Sequence, residues 1–279
     1  MASALAHHDH DDHDDSLDEA ADTAALFRDV TKLLSTRRER NSGQLWIFAY
    51  ASLIWRPDLD YNIERVAALG GFRRRLWQAC PVHRGTSLAL GRVATLVPAS
   101  SALRWAATAL PHHPQDEPAA VALGARALEL WVRGANDNVD DVDDEMEDEE
   151  WPVVYGTAYC LVPSTLTANL QRLCQRERAG YRPRLVRIAL DDGTSVEALT
   201  FCSESGSKLW TRETNVDVAN VVARAVGASG PNMDYLAFLI AAMRKRGVFD
   251  QHLEQVLGLL DIQTKELVLT LVFRELDKK

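Results

Sequence analysis

Six short apolar segments, at 45–49, 73–79, 92–97, 153–161, 184–190 and 196–202, constrain the fold of this 279-residue chain more than any other feature. Each is rich in β-branched or aromatic residues and bounded by Gly, Pro or Asp, which is the pattern of a strand. Six such strands suit a small barrel. The last third reads as helical. Asn215 or Asp217 can cap a helix that Gly227 ends, and Pro231 sits where a first-turn proline is tolerated, opening a helix that runs to Gly247. A further helical stretch from Gln251 to Leu276 carries Leu253, Val256, Leu257, Leu260, Leu267 and Leu271. The expected fold is therefore α+β, a small mixed β-barrel of about six strands flanked by helices.

The first of these segments ends in a turn of small and uncharged residues, Tyr50-Ala51-Ser52-Leu53. Such a turn either exposes backbone N–H groups to a carboxylate or phosphate or simply reverses the chain with Ser52 as its turn residue. A second feature lies on a helix. Leu166, Leu170, Leu173 and Cys174 form one stripe, and Glu177 falls on it, so a carboxylate points toward the core near the negative end of the helix dipole. Burial and dipole both push its pKa up. Placement alone allows a proton-transfer group or a glutamate paired with Arg182 or Arg184.

Charge is unevenly distributed. Of the 40 acidic residues, eight lie in 1–22 and ten in 137–150, and neither segment has a Lys or Arg, leaving 31 basic against 22 acidic residues and a net +9 elsewhere. A positive body favours an anionic ligand, and by charge alone would also suit a non-catalytic anion- or nucleic-acid-binding module. The interleaved aromatics and motifs of nucleic-acid readers are missing, so a small molecule is expected and no nucleic acid. No apolar run reaches the roughly 18 residues of a membrane span, and 1–22 is acidic where a secretory signal is basic, so no membrane partner and a cytoplasmic location are expected. Cys80, Cys160, Cys174 and Cys202 lack Cys-x-x-Cys spacing, which suits reduced core thiols better than a zinc site. The His/Asp run at 7–15 has no scaffold to fix a coordination geometry.

Taken together, the run Trp46-Ile47-Phe48-Ala49-Tyr50-Ala51-Ser52-Leu53-Ile54-Trp55-Arg56-Pro57 resembles the opening of the ChaC family of gamma-glutamylcyclotransferases, glutathione-specific type, with Ala51 where the family has Gly. The resemblance continues in order through Gly71-Phe72-Arg73-Arg74, His83-Arg84-Gly85, Gly91-Arg92-Val93, Tyr155-Gly156-Thr157-Ala158-Tyr159, Arg176-Glu177-Arg178-Ala179-Gly180-Tyr181-Arg182, Glu197-Ala198-Leu199-Thr200-Phe201 and Ser229-Gly230-Pro231-Asn232-Met233-Asp234-Tyr235-Leu236. It spans roughly 45–97 and 151–255. The family's Asn-Pro-x-Tyr-Leu-Gly segment has no counterpart in Ser205–Trp210, which is expected to alter one pocket wall.

The resemblance implies an enzyme that cyclises the γ-glutamyl group of glutathione, or of another γ-glutamyl amine or peptide, to 5-oxoproline. Glutathione would release Cys-Gly. It implies Glu177 as the catalytic base and acid, Tyr50, Ala51, Ser52 and Leu53 as the grip on the substrate carboxylate, and neither metal nor cofactor. Tyr181, Tyr235 and Arg84 are further substrate-binding candidates. If position 51 needs a positive φ, Ala51 costs roughly 1–2 kcal/mol there. The expected organisation is a disordered tail at 1–22, a helical extension at 23–44 with a helix over 23–40, and a cyclotransferase-like domain at 45–255. That domain carries an insertion at 98–150 with a helical centre and the solvated acidic run 137–150, and a helical extension follows at 256–279.

Overall fold

The computed structural model describes residues 12–35, 44–100, 112–134, 136, 151–177 and 180–278. The acidic run 137–150 and the His/Asp run up to residue 11 lie outside them. The strands are β1 (Trp46–Ala49), β2 (Tyr61–Gly70), β3 (Phe72–Cys80), β4 (Gly91–Pro98), β5 (Val153–Leu161), β6 (Tyr181–Leu190), β7 (Ser195–Ser203) and the short pair β8 (Val226–Gly227) and β9 (Gly230–Pro231). The helices are α1 (Asp12–Ser35), α2 (Pro118–Val132), α3 (Leu166–Arg176), α4 (Asn215–Val222), α5 (Asn232–Arg244), α6 (Gln251–Leu259) and α7 (Ile262–Leu276).

The α+β barrel expected from the sequence is present, with a different strand roster. Five strands close in the order β1-β5-β2-β6-β7, and the closure is the parallel pairing of β1 with β7, Trp46 opposite Ala198 and Ile47 opposite Leu199. Two of the expected strands, now β3 and β4, form a separate antiparallel ribbon. Their place in the barrel is taken by β2, which pairs with β5 from Tyr61 opposite Leu161 to Gly70 opposite Val153. Its Glu64, Arg65, Ala67 and Ala68 are good helix formers, and the ladder to β5 overrides that local preference.

All nine positions of β3 are buried, including Arg73, Arg74 and Arg75. This strand runs between the barrel and α6. Arg74 donates to the carbonyl of Tyr155 on β5 and pairs with Asp250 at the start of α6, while the N–H of Leu76 donates to Nε2 of His252 at 2.9 Å. Burial and the flanking Arg75 and Arg74 hold the His252 imidazole well below its usual range, and therefore neutral.

The helix expected over 23–40 exists but starts at Asp12, within the segment expected to be a disordered tail, and its last described residue is Ser35. An acidic run at the beginning of a helix is favoured by the macrodipole, and Leu26 and Val30 anchor this helix in the core where it packs on α3 and β6. Helix α2 is the apolar centre of the insertion and packs on β2 and β6. The stretch expected as one helix from Gln251 to Leu276 is two, because Asp261 caps a new helix by accepting the Thr264 N–H at 3.0 Å. The boundary drawn at 255/256 falls inside α6. Among the described residues, no helix is long and apolar enough to cross a membrane, and no cluster of three His, Cys, Asp or Glu side chains converges.

Candidate active site

Where β1 ends, the chain enters a one-turn 3-10 helix, Ser52–Ile54, closed by Ile54 N–H to the Ala51 carbonyl (2.9 Å) and Arg56 N–H to the Ser52 carbonyl (3.0 Å). The N–H groups of Ala51, Ser52 and Leu53 precede that closure and find no acceptor among the described residues. Ala51 has φ −133°, so the positive φ that would strain an alanine does not occur. The turn is braced from behind. Arg74 Nε donates to the Tyr50 carbonyl at 3.0 Å, and the Tyr159 hydroxyl donates to the carbonyls of Leu53 (3.2 Å) and Ile54 (3.3 Å).

Glu177 is the C-cap of α3, its N–H bonded to the Leu173 carbonyl at 2.8 Å. The stripe holds as expected, with Leu170, Leu173 and Cys174 buried and the Glu177 side chain 16% exposed. Burial raises the Glu177 pKa and the adjacent Arg176 opposes the rise. Its ionic partner is Arg176, with Nε 3.5 Å from Oε1, rather than Arg182 or Arg184. Gly180, at φ +91°, then turns the chain into β6 so that Tyr181 follows within reach of the same carboxylate.

Three tyrosines face Glu177. The Tyr50 hydroxyl donates to the Phe201 carbonyl (2.7 Å) and that of Tyr181 to the Ala94 carbonyl (2.7 Å), while that of Tyr235 accepts the N–H of the same Ala94 (3.0 Å). One residue of β4 therefore fixes two phenols, and the Tyr235 proton has no acceptor among the described residues. Burial raises all three phenol pKa values and the Glu177 charge adds to it, so the hydroxyls remain donors. Burial also pushes the Cys174 thiol beneath them up to about 11, which leaves it an inert core thiol.

Glu177 and the three tyrosines line one cavity of about 940 Å³, together with Arg84, Arg56, Trp55 and Phe238. Tyr50, Ala51, Ser52, Leu53, Glu177, Tyr181, Tyr235 and Arg84, separated by up to 185 residues of sequence, all meet there. Ser205–Trp210 does not: Ser205, Gly206 and Trp210 line a separate recess of about 220 Å³ beside Phe72, Leu96 and Arg184, and Trp210 bridges Gln78. The segment expected to alter the pocket therefore lies outside its wall.

Residues 45–263 match the family of ChaC-like proteins. The chain belongs to that family. Among its relatives, the glutathione-specific gamma-glutamylcyclotransferase of Saccharomyces cerevisiae is 28% identical over 241 residues, 76% of this chain and 93% of the relative. The Escherichia coli protein of the same description is 25% identical over 220 residues, 78% of this chain and 73% of its own. The human glutathione-specific gamma-glutamylcyclotransferase 1 is 43% identical over 74 residues, covering 25% of this chain and 33% of the human one. The crystal structure of the yeast glutathione-specific enzyme shares the fold, with a TM-score of 0.56 at 23% identity over 78% of this chain and 97% of the yeast chain.

This ChaC-like chain also uses a residue whose role its sequence did not disclose. Arg176 donates to Ser52 Oγ (2.9 Å), to the Arg56 carbonyl and to Asp58 Oδ2 (3.3 Å) while lying beside Glu177. One guanidinium thus joins the end of α3 to the turn after β1. The only sequence signal was its place next to Glu177 in the ChaC-like Arg-Glu motif.

Proposed function

We propose that this chain is a γ-glutamylcyclotransferase acting on glutathione, with Glu177 moving the protons. One observation carries the reading: a largely buried carboxylate faces three protonated tyrosines inside a cavity whose wall also presents the amides of Ala51, Ser52 and Leu53, which find no acceptor among the described residues. The relatives named above for this activity support it.

The amides of Ala51–Leu53 receive the glutamyl α-carboxylate. The substrate's α-ammonium then lies toward Glu177, whose raised pKa suits it to accept a proton near neutral pH. The freed amine attacks the γ-carbonyl carbon. A C–N bond closes the five-membered ring, and the proton held by Glu177 passes to the cysteinyl nitrogen as its bond to the γ-carbonyl carbon breaks. The regenerated carboxylate then takes the second proton from the ring nitrogen, leaving the neutral lactam, and gives it to the departing amine, which leaves as an ammonium. The products are 5-oxoproline and Cys-Gly, and the electron pair comes from the substrate itself. Because the attack is intramolecular, holding a folded conformer supplies much of the acceleration. In this reading the Tyr235 O–H, which has no acceptor among the described residues, stabilises the negative charge that develops on the γ-carbonyl oxygen. A cytoplasmic setting fits four cysteines that are all buried and free.

The test measures 5-oxoproline released from glutathione. Glu177→Gln keeps the shape without the base, and turnover should fall on the order of 100-fold or more with the fold intact by circular dichroism. Wild-type turnover by the folded variant would remove Glu177 from this role. Turnover by the wild-type chain of other γ-glutamyl amines but not glutathione would reassign the substrate.

A further inference from the structure

Arg84 is held in the cavity wall with most of its hydrogen-bonding capacity unspent. The residue is 8% exposed. Its Nη1 donates to the Pro231 carbonyl at 2.9 Å and its guanidinium lies 5.8 Å from the centroid of the Tyr235 ring. The other N–H groups have no acceptor, and no carboxylate lies within 4 Å, among the described residues. A guanidinium carries five donors, so four of them remain available.

The backbone beneath Arg84 is fixed rather than adaptable. Ala228 N–H donates to the Val82 carbonyl and Ser229 N–H to the His83 carbonyl, both at 2.9 Å, so the β8–β9 hairpin clamps residues 82–84. Gly227 makes the clamp close enough: a Cβ there would stand 2.4 Å from the Gly85 nitrogen and 2.6 Å from that of Arg84. A cation is thus pre-positioned at the cavity, largely withdrawn from solvent, with the like charge of Arg56 on the same wall. Burial lowers the Arg84 pKa and the charge of Asp234 acts against it, but among the described residues no carboxylate is close enough to form an ion pair with the guanidinium.

We propose that Arg84 is the subsite for the carboxylate at the far end of the substrate, on the peptide that leaves, so that the site selects γ-glutamyl peptides with a free C-terminus over γ-glutamyl amines that lack one. This rests on the activity proposed above. The turn amides hold the α-carboxylate at one end of the molecule, and Arg84 offers a planar donor fork for the one at the other. Arg84 touches the substrate without taking part in bond making.

The experiment compares glutathione with its C-terminal glycine amide, which differ only at that carboxylate. The wild-type chain should prefer glutathione in kcat/KM by roughly 10- to 100-fold, the value of a charge-assisted hydrogen bond. In Arg84→Met the ratio should fall close to one, and in Arg84→Lys to an intermediate value. Arg84→Gln, which keeps a donor for the Pro231 carbonyl, replaces the Met variant if that one fails to fold. The same preference is measured without turnover by calorimetric binding of both peptides to Glu177→Gln. No 5-oxoproline together with a preserved binding preference would overturn the activity and support the subsite. Equal handling of the two peptides by the wild-type chain, or an unchanged preference in the Arg84 variants, would overturn the subsite.

Discussion

Arg74 Nε donates to the Tyr50 carbonyl at 3.0 Å from a fully buried position. In a trans peptide unit the N–H points opposite to the C=O, so anchoring the Tyr50 carbonyl behind the turn directs the Ala51 N–H away from Arg74. The same guanidinium pairs with Asp250, which also caps α6 by accepting the Leu253 N–H. The start of α6 is thereby linked to the turn through the Arg74 side chain.

Arg74→Met should lower the unfolding free energy by about 3–5 kcal/mol, because the buried ion pair to Asp250 is broken and two carbonyls lose a donor. Urea denaturation reads this directly. The KM for glutathione should rise as well, since the Ala51 amide loses its alignment. A loss below about 1 kcal/mol with KM unchanged would show that the pair does not support the turn.

Glu177 also has a stability signature. Its folded pKa lies above its unfolded value through burial, so the group disfavours the folded state once it ionises there. That contribution is absent below the unfolded carboxylate pKa, grows through the window between the two values and is complete above the folded one. Glu177→Gln should accordingly raise Tm at pH 7.5, with the gain shrinking as pH falls through the acid range. A gain independent of pH would mean that ionisation is not its source.

Arg176 opposes the rise in the Glu177 pKa and holds Ser52 from the same guanidinium. The groups facing Glu177 are Arg176 on its own element, Cys174 below, and Tyr50, Tyr181 and Tyr235 across the cavity. Of these Arg176 alone is cationic, so in Arg176→Gln the acid limb of the kcat/KM profile should move to higher pH. An acid limb at its wild-type position, with the whole loss appearing in Tm, would make Arg176 a structural link only.

Tyr50 and Tyr235 should separate by phenotype. The Tyr50 hydroxyl is committed to the Phe201 carbonyl, and Tyr50→Phe should cost about 0.5–1.5 kcal/mol in stability. The Tyr235 proton is uncommitted, and Tyr235→Phe should lower kcat on the order of 10-fold. Equal kinetic losses in both variants would contradict the assignment of the free donor.

Local spacing determined a good deal. The period of the stripe Leu166, Leu170, Leu173 and Cys174 placed Glu177 on the buried side of its helix, because side chains three and four apart share a face whatever surrounds them. The strand character of β1, β3, β4, β5, β6 and β7 was legible from β-branched and aromatic residues bounded by Gly, Pro or Asp, as were a first turn free of charge and a barrel-type α+β class. Tertiary structure decided the rest. The pairing of β2 with β5 overrode a helix-forming composition, and β3 was drawn out of the barrel to carry three buried arginines toward α6. Arg176 reaches partners more than 110 residues away, and the phenols of Tyr181 and Tyr235 meet on Ala94, 87 and 141 residues from them. Periodicity fixes which side of an element a residue occupies; only the packing of elements distant in sequence fixes what that side faces, and the hydrogen bonds that orient Tyr50, Tyr181, Tyr235 and Arg176 are of this second kind.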